Sequence, residues 1–375
     1  MKNNTMDRRE FLKVSALLGA SLSLSVSPLF ALESKPDSKV MPKRTLGKGD
    51  RAFEVSALAF GLMGLNYHRS KVLGEKEAAN IVAQCVESGI TLFDTAQVYG
   101  PNSNEILAGK ILKPYLNKVY VTTKFGFGAN ADVLDSSPKR IKEVCEQSLK
   151  RLNLEQIPLF YQHRFDPKTP IEEVAQTIKE LIKEGKVARW GVCELSAQTI
   201  EKAHKICPLT AVQSEYHLMW RNVESELFPT FEKLGIGFVA YSPLARGYLS
   251  GKLTKNSSFD PKNDNRATFP RYQDDTMAAN YHIIERLSEF GKGKNPNAKD
   301  KNATPAQVAL AYLLAKKPYI IPLFGTTNKE HLRENLGALQ VHLSTNDLAQ
   351  LDKILDKISI QGDRYPPEQA KRVGQ

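Results

Sequence analysis

Between residues 56 and 341 a short apolar run is followed eight times by a longer amphipathic segment. Few folds can absorb such regularity. "SALAFG" (56–61) reads as a strand and "GEKEAANIVAQCVESG" (74–89) as the helix after it. "TLFD", "KVYVTTK", "IPLFYQH", "VARWGVCE", "LTAVQSEY", "IGFVAYSPL" and "YIIPLFG" supply seven further strands, each with its helical partner. Helix starts carry physical signals: Ser137 precedes Pro138 as an N-cap, and Thr169 before Pro170 repeats the arrangement. The strands are mostly continuous apolar runs, as expected when both faces of a sheet are covered. Strict alternation favours parallel pairing, and eight units over some 280 residues fit an α/β (β/α)8 TIM barrel. A doubly wound open sheet is the rival. Its GxGxxG fingerprint is missing, because "GFG" (126–128), "GIG" (235–237) and "GKG" (291–293) lack the third glycine.

Segments outside the alternation have separate expectations. "KRTLGKGDRAFEVS" suggests an N-terminal β-hairpin plugging the barrel floor. The polar stretch from Tyr248 to Lys301 should hold an extra helix near 276–290, and long carboxyl-side loops of a barrel shape the substrate site. The barrel domain is placed at 43–360, after a linker at 32–42. A tail at 361–375, with Arg364 and Tyr365 at its start, is expected to close over the site. Residues 1–31 read as an address: "DRREFLK" carries Arg8-Arg9 and resembles a bacterial twin-arginine export signal, followed by an apolar, serine-dotted run. Five serines and Pro28 make that run a poor spanning helix, so export to the periplasm is expected rather than a permanent membrane anchor.

The formal charge of +11 does not point to nucleic acid, since Lys and Arg are interspersed with Glu and Asp along helical patterns. Cys85, Cys145, Cys193 and Cys207 form no CxxC or metal-like spacing. Buried thiols and no metal site are expected.

Chemistry in such a barrel sits where strands end. Asp94 ends the second strand, with Tyr99 just beyond; Lys124 ends the third and His163 the fourth. An acid, an amine, an imidazole and a phenol thus converge on one rim. A phenol near pKa 10 is a poor acid–base group unless a neighbouring cation favours its anion. Lys124 would be that cation, held by Asp94, while His163 orients a carbonyl beside Tyr99. This is equipment for protonating an oxyanion as it forms.

"FDTAQVYG", "TTKFGF", "FYQHRFDP", "AVQSEY", "FVAYSPLARG" and "GTTNKEHLRENL" resemble the aldo-keto reductase family over roughly residues 43–360. The resemblance implies NADPH-dependent carbonyl reduction without a metal, with NADH as the alternative cofactor. By position, Asp94, Tyr99, Lys124 and His163 match the family's catalytic tetrad, Tyr99 being the proton donor. Gln213 matches the residue that bonds the nicotinamide carboxamide, and Tyr241 the aromatic that stacks on its ring. Ser242, Leu244 and Arg246 match the pyrophosphate run; Gly325, Thr326, Glu334 and Asn335 match the adenosine end, where a helix N-terminus suits an anion. Cys193 and Glu194 replace the Ser-Asn pair many members use for the carboxamide. Lys329 and His331 stand as partners for a 2′-phosphate in place of an Arg.

Two other functions compete. A Schiff-base aldolase would need a neutral Lys124 and leaves the cofactor motifs without purpose. A nucleotide-binding redox-sensing or regulatory subunit would keep the groove and turn over little. Met63, Tyr67, Phe125, Phe127, Met219 and Trp220, at expected strand-end loops, have two readings: apolar lining for a small carbonyl substrate, or plain core and loop packing.

Overall fold

Apolar strands cannot leave either face in water, and the computed structural model shows how this chain covers both. It describes residues 40–374 apart from 70, 130, 255 and 298–300. The export signal, most of the linker and the last residue therefore lie outside the described residues. The hairpin strands β1 (Lys43–Leu46) and β2 (Phe53–Ser56) pair antiparallel. Then follow β3 (Ala59–Gly61), β4 (Leu92–Asp94), β5 (Tyr120–Phe127), the short β6 (Leu134–Asp135), β7 (Phe160–Gln162), β8 (Trp190–Cys193), β9 (Ala211–Glu215), β10 (Gly237–Tyr241) and β11 (Ile320–Phe324). Strand β3 pairs with β4, β4 with β5, and so on through β7, β8, β9, β10 and β11, which returns to β3. Eight parallel strands close on themselves, and only β6, antiparallel to the end of β5, is an addition.

The expected first strand is shorter than its apolar run. Ser56 belongs to the hairpin, opposite Lys43, because the chain reverses into the barrel only after Ala57. The hairpin fills the barrel floor: Leu46, Phe53 and Val55 pack against Leu92, Tyr161, Val239 and Ile321. Gly237 is needed for that approach, since a Cβ there would stand 2.4 Å from a Leu46 methyl.

Outside the barrel, helices bury the other strand faces. Trp190 is fully buried and its indole N–H donates to the Cys207 carbonyl at 2.9 Å. Burying such a side chain contributes upward of about 2 kcal/mol. Ser137 caps the helix Pro138–Leu152 by accepting from the Arg140 amide. The expected cap at Thr169 is not formed. Its hydroxyl donates to Asp166, whose turn captures it first, and the helix Ile171–Lys183 starts from Pro170 with no side-chain cap. The extra helix of the long connection is two helices, Asp274–Asn280 and His282–Phe290, meeting at Tyr281. Among the described residues no helix is long and apolar enough to cross a membrane. The four cysteines are free and buried.

Candidate active site

The carboxyl ends of the strands open into a cleft of ≈830 Å³. Asp94 forms its floor. Alternation along β5 points Thr122 and Lys124 inward, and the Thr122 hydroxyl donates to Asp94 Oδ2 at 2.7 Å. Lys124 has three ammonium hydrogens and three acceptors: Asp94 Oδ1, the Thr95 carbonyl at 2.8 Å and the Tyr99 phenol oxygen at 3.5 Å. Tyr99 lies in the turn after β4, where Gly100 and Asn102 both adopt left-handed backbone. Asn104 braces that turn by donating to the Leu62 carbonyl at 2.9 Å and accepting from Thr95. The His163 ring stands edge-on to Tyr99 at 5.6 Å and to Phe127 at 5.2 Å. Its backbone amide is tied to the Phe125 carbonyl at 2.7 Å.

Burial works against the charge of Lys124, and the charge and hydrogen bond of Asp94 beside it outweigh that penalty, so the amine stays charged with a raised pKa. For Tyr99 burial is the largest influence and raises the pKa; Lys124 pulls it down but does not prevail. The expected shift toward the phenolate is therefore absent, and the phenol keeps its proton at neutral pH. His163 is held well below the usual imidazole range by burial, then by Arg164 and Lys124, so the ring is neutral.

The structure draws most of the other expected residues to the same cleft. Gln213 lines it and donates its amide to Asp94 Oδ2 at 3.1 Å. Tyr241, Ser242, Leu244 and Arg246 form one wall, and Gly325, Thr326, His331, Glu334 and Asn335 the far end. Ser242, Ala245, Arg246 and Gly247 all have positive φ, which wraps the chain after β10 around the groove. Met63, Tyr67 and Phe127 line it as well.

Others go elsewhere. Cys193 packs into the barrel interior, its thiol pushed up to about 12 by burial. Glu194 is buried and engaged by Arg364 rather than open to the cleft. Lys329 is exposed outside the lining, and Asn328 already accepts from the Glu330 and His331 amides, so that helix start offers fewer free donors than expected. Phe125 faces the opposite side of β5 from Lys124, against Phe160 at 4.7 Å. Only after Gly126, at φ +115, does Phe127 turn inward. Met219 is buried in the outer core, and Trp220 lies beneath the guanidinium groups of Arg271 and Arg364. Arg164 and the long-loop pair Asn265 and Arg266 also line the cleft. Sequence spacing had no means of finding them, as loop residues carry no periodic signal.

The cleft suits a dinucleotide. It runs from Tyr99 and His163 along the wrapped backbone to Glu334, whose Oε1 is buried with no partner. Gly325 comes so close to β3 that a Cβ would meet the Gly61 carbonyl at 2.8 Å, keeping that end open only for a bare backbone. Among the described residues no group of three or more His, Cys, Asp or Glu is placed to hold a metal.

Comparison with known proteins agrees with this geometry. Residues 57–356 match the aldo/keto reductase family. The chain is 41% identical over 321 residues to a probable aldo-keto reductase 1 of Glycine max, covering 84% of this chain and 90% of that one. A glycerol dehydrogenase structure from Gluconobacter oxydans superimposes with a TM-score of 0.72 at 26% identity, covering 88% of this chain and 98% of the other. A holo aldo-keto reductase from Bacillus halodurans gives 0.67, again at 26% identity, over 86% and 98%. With a closed eight-stranded barrel and a family match over most of its length, the chain belongs to the aldo/keto reductase family and is an NAD(P)H-dependent oxidoreductase.

Proposed function

We propose that this protein reduces an aldehyde or ketone to an alcohol with NADPH, with Tyr99 as the proton donor. The observation that carries this reading is the Tyr99 phenol at the cleft floor, 3.5 Å from the Lys124 ammonium and facing neutral His163. Gln213, Tyr241, Ser242, Leu244, Arg246, Gly325, Thr326, His331, Glu334 and Asn335 would hold the dinucleotide. When bound, its reduced nicotinamide supplies a hydride. His163 offers a neutral ring to orient the carbonyl oxygen beside the phenol. Tyr99 gives its proton to that oxygen as negative charge builds there, and Lys124 stabilises the phenolate left behind. Asp94 keeps the ammonium charged and aimed. The raised phenol pKa keeps the proton on Tyr99 until it is needed, and transfer still runs downhill because an alkoxide is a far stronger base than a phenolate.

His331 on the cleft wall supports NADPH over NADH as the partner of a 2′-phosphate. Mixing the purified chain with NADPH and a reactive aldehyde tests the reading: consumption of the reduced nicotinamide in step with alcohol formation is expected. Tight binding without turnover would sink it in favour of a sensor.

The twin arginines Arg8-Arg9 and the apolar run after them support export of the folded protein through the twin-arginine machinery to the periplasm. Cell fractionation should find the mature protein outside the cytoplasm, and Arg8→Lys with Arg9→Lys should retain it inside.

A further inference from the structure

A buried ion cluster joins the C-terminal tail to the strand ends on the side of the cleft away from Tyr99. Glu194, just after β8, is held at φ +59, a backbone region costly for any residue but glycine. Its carboxylate takes both terminal nitrogens of Arg364 as a fork, one of them at 2.9 Å, and also accepts from the Glu215 amide at 2.7 Å. Arg364 Nε donates to Glu215 Oε2 at 2.6 Å, and Nη2 reaches the Tyr241 hydroxyl at 2.9 Å. One guanidinium thus bonds the ends of three consecutive barrel strands, β8, β9 and β10. Its side chain is 10% exposed, and Glu194 and Glu215 are 5% and 3% exposed.

The next residue extends the link. The Tyr365 and Tyr241 hydroxyls are 2.7 Å apart, and the Tyr365 ring meets Phe269 edge-on at 5.5 Å. Further along, Arg372 donates to the Ala131 and Asp132 carbonyls, and the Gly374 amide returns to the Glu194 carbonyl at 2.8 Å. Tyr365, Glu368, Gln369 and Arg372 line the cleft. The tail is a strap fastened at both ends, and Glu194 anchors each of them.

We propose that Arg364 is a positioning residue for Tyr241: bridging Glu194, Glu215 and the Tyr241 hydroxyl, it fixes the tyrosine ring that faces the nicotinamide and holds the tail over the bound dinucleotide. This rests on the reading of the cleft as an NADPH groove. It also accounts for Glu194, which has a carboxylate where a carboxamide ligand is expected: the side chain serves the tail, not the cofactor. A buried carboxylate needs a paired cation, and only an arginine fork reaches two carboxylates and a phenol at once. A lysine would satisfy the charge and lose the geometry.

The experiment uses the full chain and three variants, Arg364→Ala, Arg364→Lys and Tyr365→Phe, each checked by circular dichroism. NADPH dissociation constants are read from intrinsic fluorescence, and hydrogen exchange is followed across residues 361–374. Arg364→Ala is expected to weaken NADPH roughly tenfold or more and to release the tail amides to exchange. Arg364→Lys should fall between it and the parent. Tyr365→Phe should weaken NADPH severalfold with the tail still protected, which a purely structural role would not produce. If Arg364→Ala does not fold, the other two variants decide. Dissociation constants within twofold of the parent overturn the proposal, even if the tail is released. A parent that binds NADPH but reduces no carbonyl sinks the proposed reaction and leaves this contrast standing; a parent that binds neither NADPH nor NADH sinks both.

Discussion

The Lys124 ammonium stands 3.5 Å from the Tyr99 phenol oxygen while its opposite side is tied to Asp94. One charge therefore serves two neighbours. Asp94 makes that charge bearable in a buried place, and Tyr99 uses its field.

Replacing Tyr99 by Phe removes the proton donor and little else, since the ring keeps its packing against His163 and Tyr67. Carbonyl reduction should fall roughly 10²- to 10⁴-fold in kcat. NADPH affinity should stay within a few-fold, as read by fluorescence titration.

Lys124→Met leaves Asp94 buried beside an apolar side chain. Removing one partner of a buried pair destabilises by about 3–5 kcal/mol, so the urea midpoint should drop sharply. The double variant with Asp94→Asn should recover part of that loss while staying inactive.

Acid should weaken the fold in two stages. His163 is held below its unfolded value by burial and nearby cations, and His217 is lowered mainly by burial; His68 and His204, lowered mainly by burial, sit at about 4. Below about pH 6.5 the unfolded chain takes up protons that these folded rings refuse. Stability then falls with pH for each such ring, until its folded pKa is passed. Glu215 resists burial through Arg364 and Arg246 and lies well below the usual carboxylate range. Its contribution is present above about pH 4.3 and lost as pH falls further toward its folded value. Thermal melts from about pH 8 to about pH 3 should show a decline that begins near pH ~6.5 and continues, through Glu215, below about pH 4.3. A flat profile down to pH 5 would contradict the neutral histidines.

Gly191→Ala tests the wall between β8 and β9. A Cβ there would meet the Ala211 carbonyl at 2.5 Å and the Tyr161 ring at 2.6 Å. Backbone cannot yield as a flexible side chain can, so a loss of about 1–3 kcal/mol is expected in chemical denaturation.

Cofactor choice can be read from two residues on one helix. His331→Ala should weaken NADPH about tenfold relative to NADH, the loss of about one hydrogen bond to a charged group. Lys329→Ala should leave both nearly unchanged, because Lys329 is exposed and outside the cleft lining. Equal effects of the two changes would refute the placement of the 2′-phosphate.

Strand and helix spacing, the closed barrel, and the placing of Asp94, Tyr99, Lys124 and His163 at neighbouring strand ends were all legible in the chain. They follow from local periodicity and from strand order, which a sequence displays directly. Partnerships between distant segments were not. Phe125 and Lys124 are adjacent in sequence, yet strand alternation sends them to opposite faces. Cys193 sits in the barrel interior because the strand carries it there. Glu194 looked like a cofactor ligand by position; it belongs to Arg364, 170 residues away. Lys124 looked able to pull the Tyr99 proton off, and burial reversed the balance. Charge pairing and desolvation depend on what the closed barrel brings within a few ångströms, and no spacing rule contains that distance.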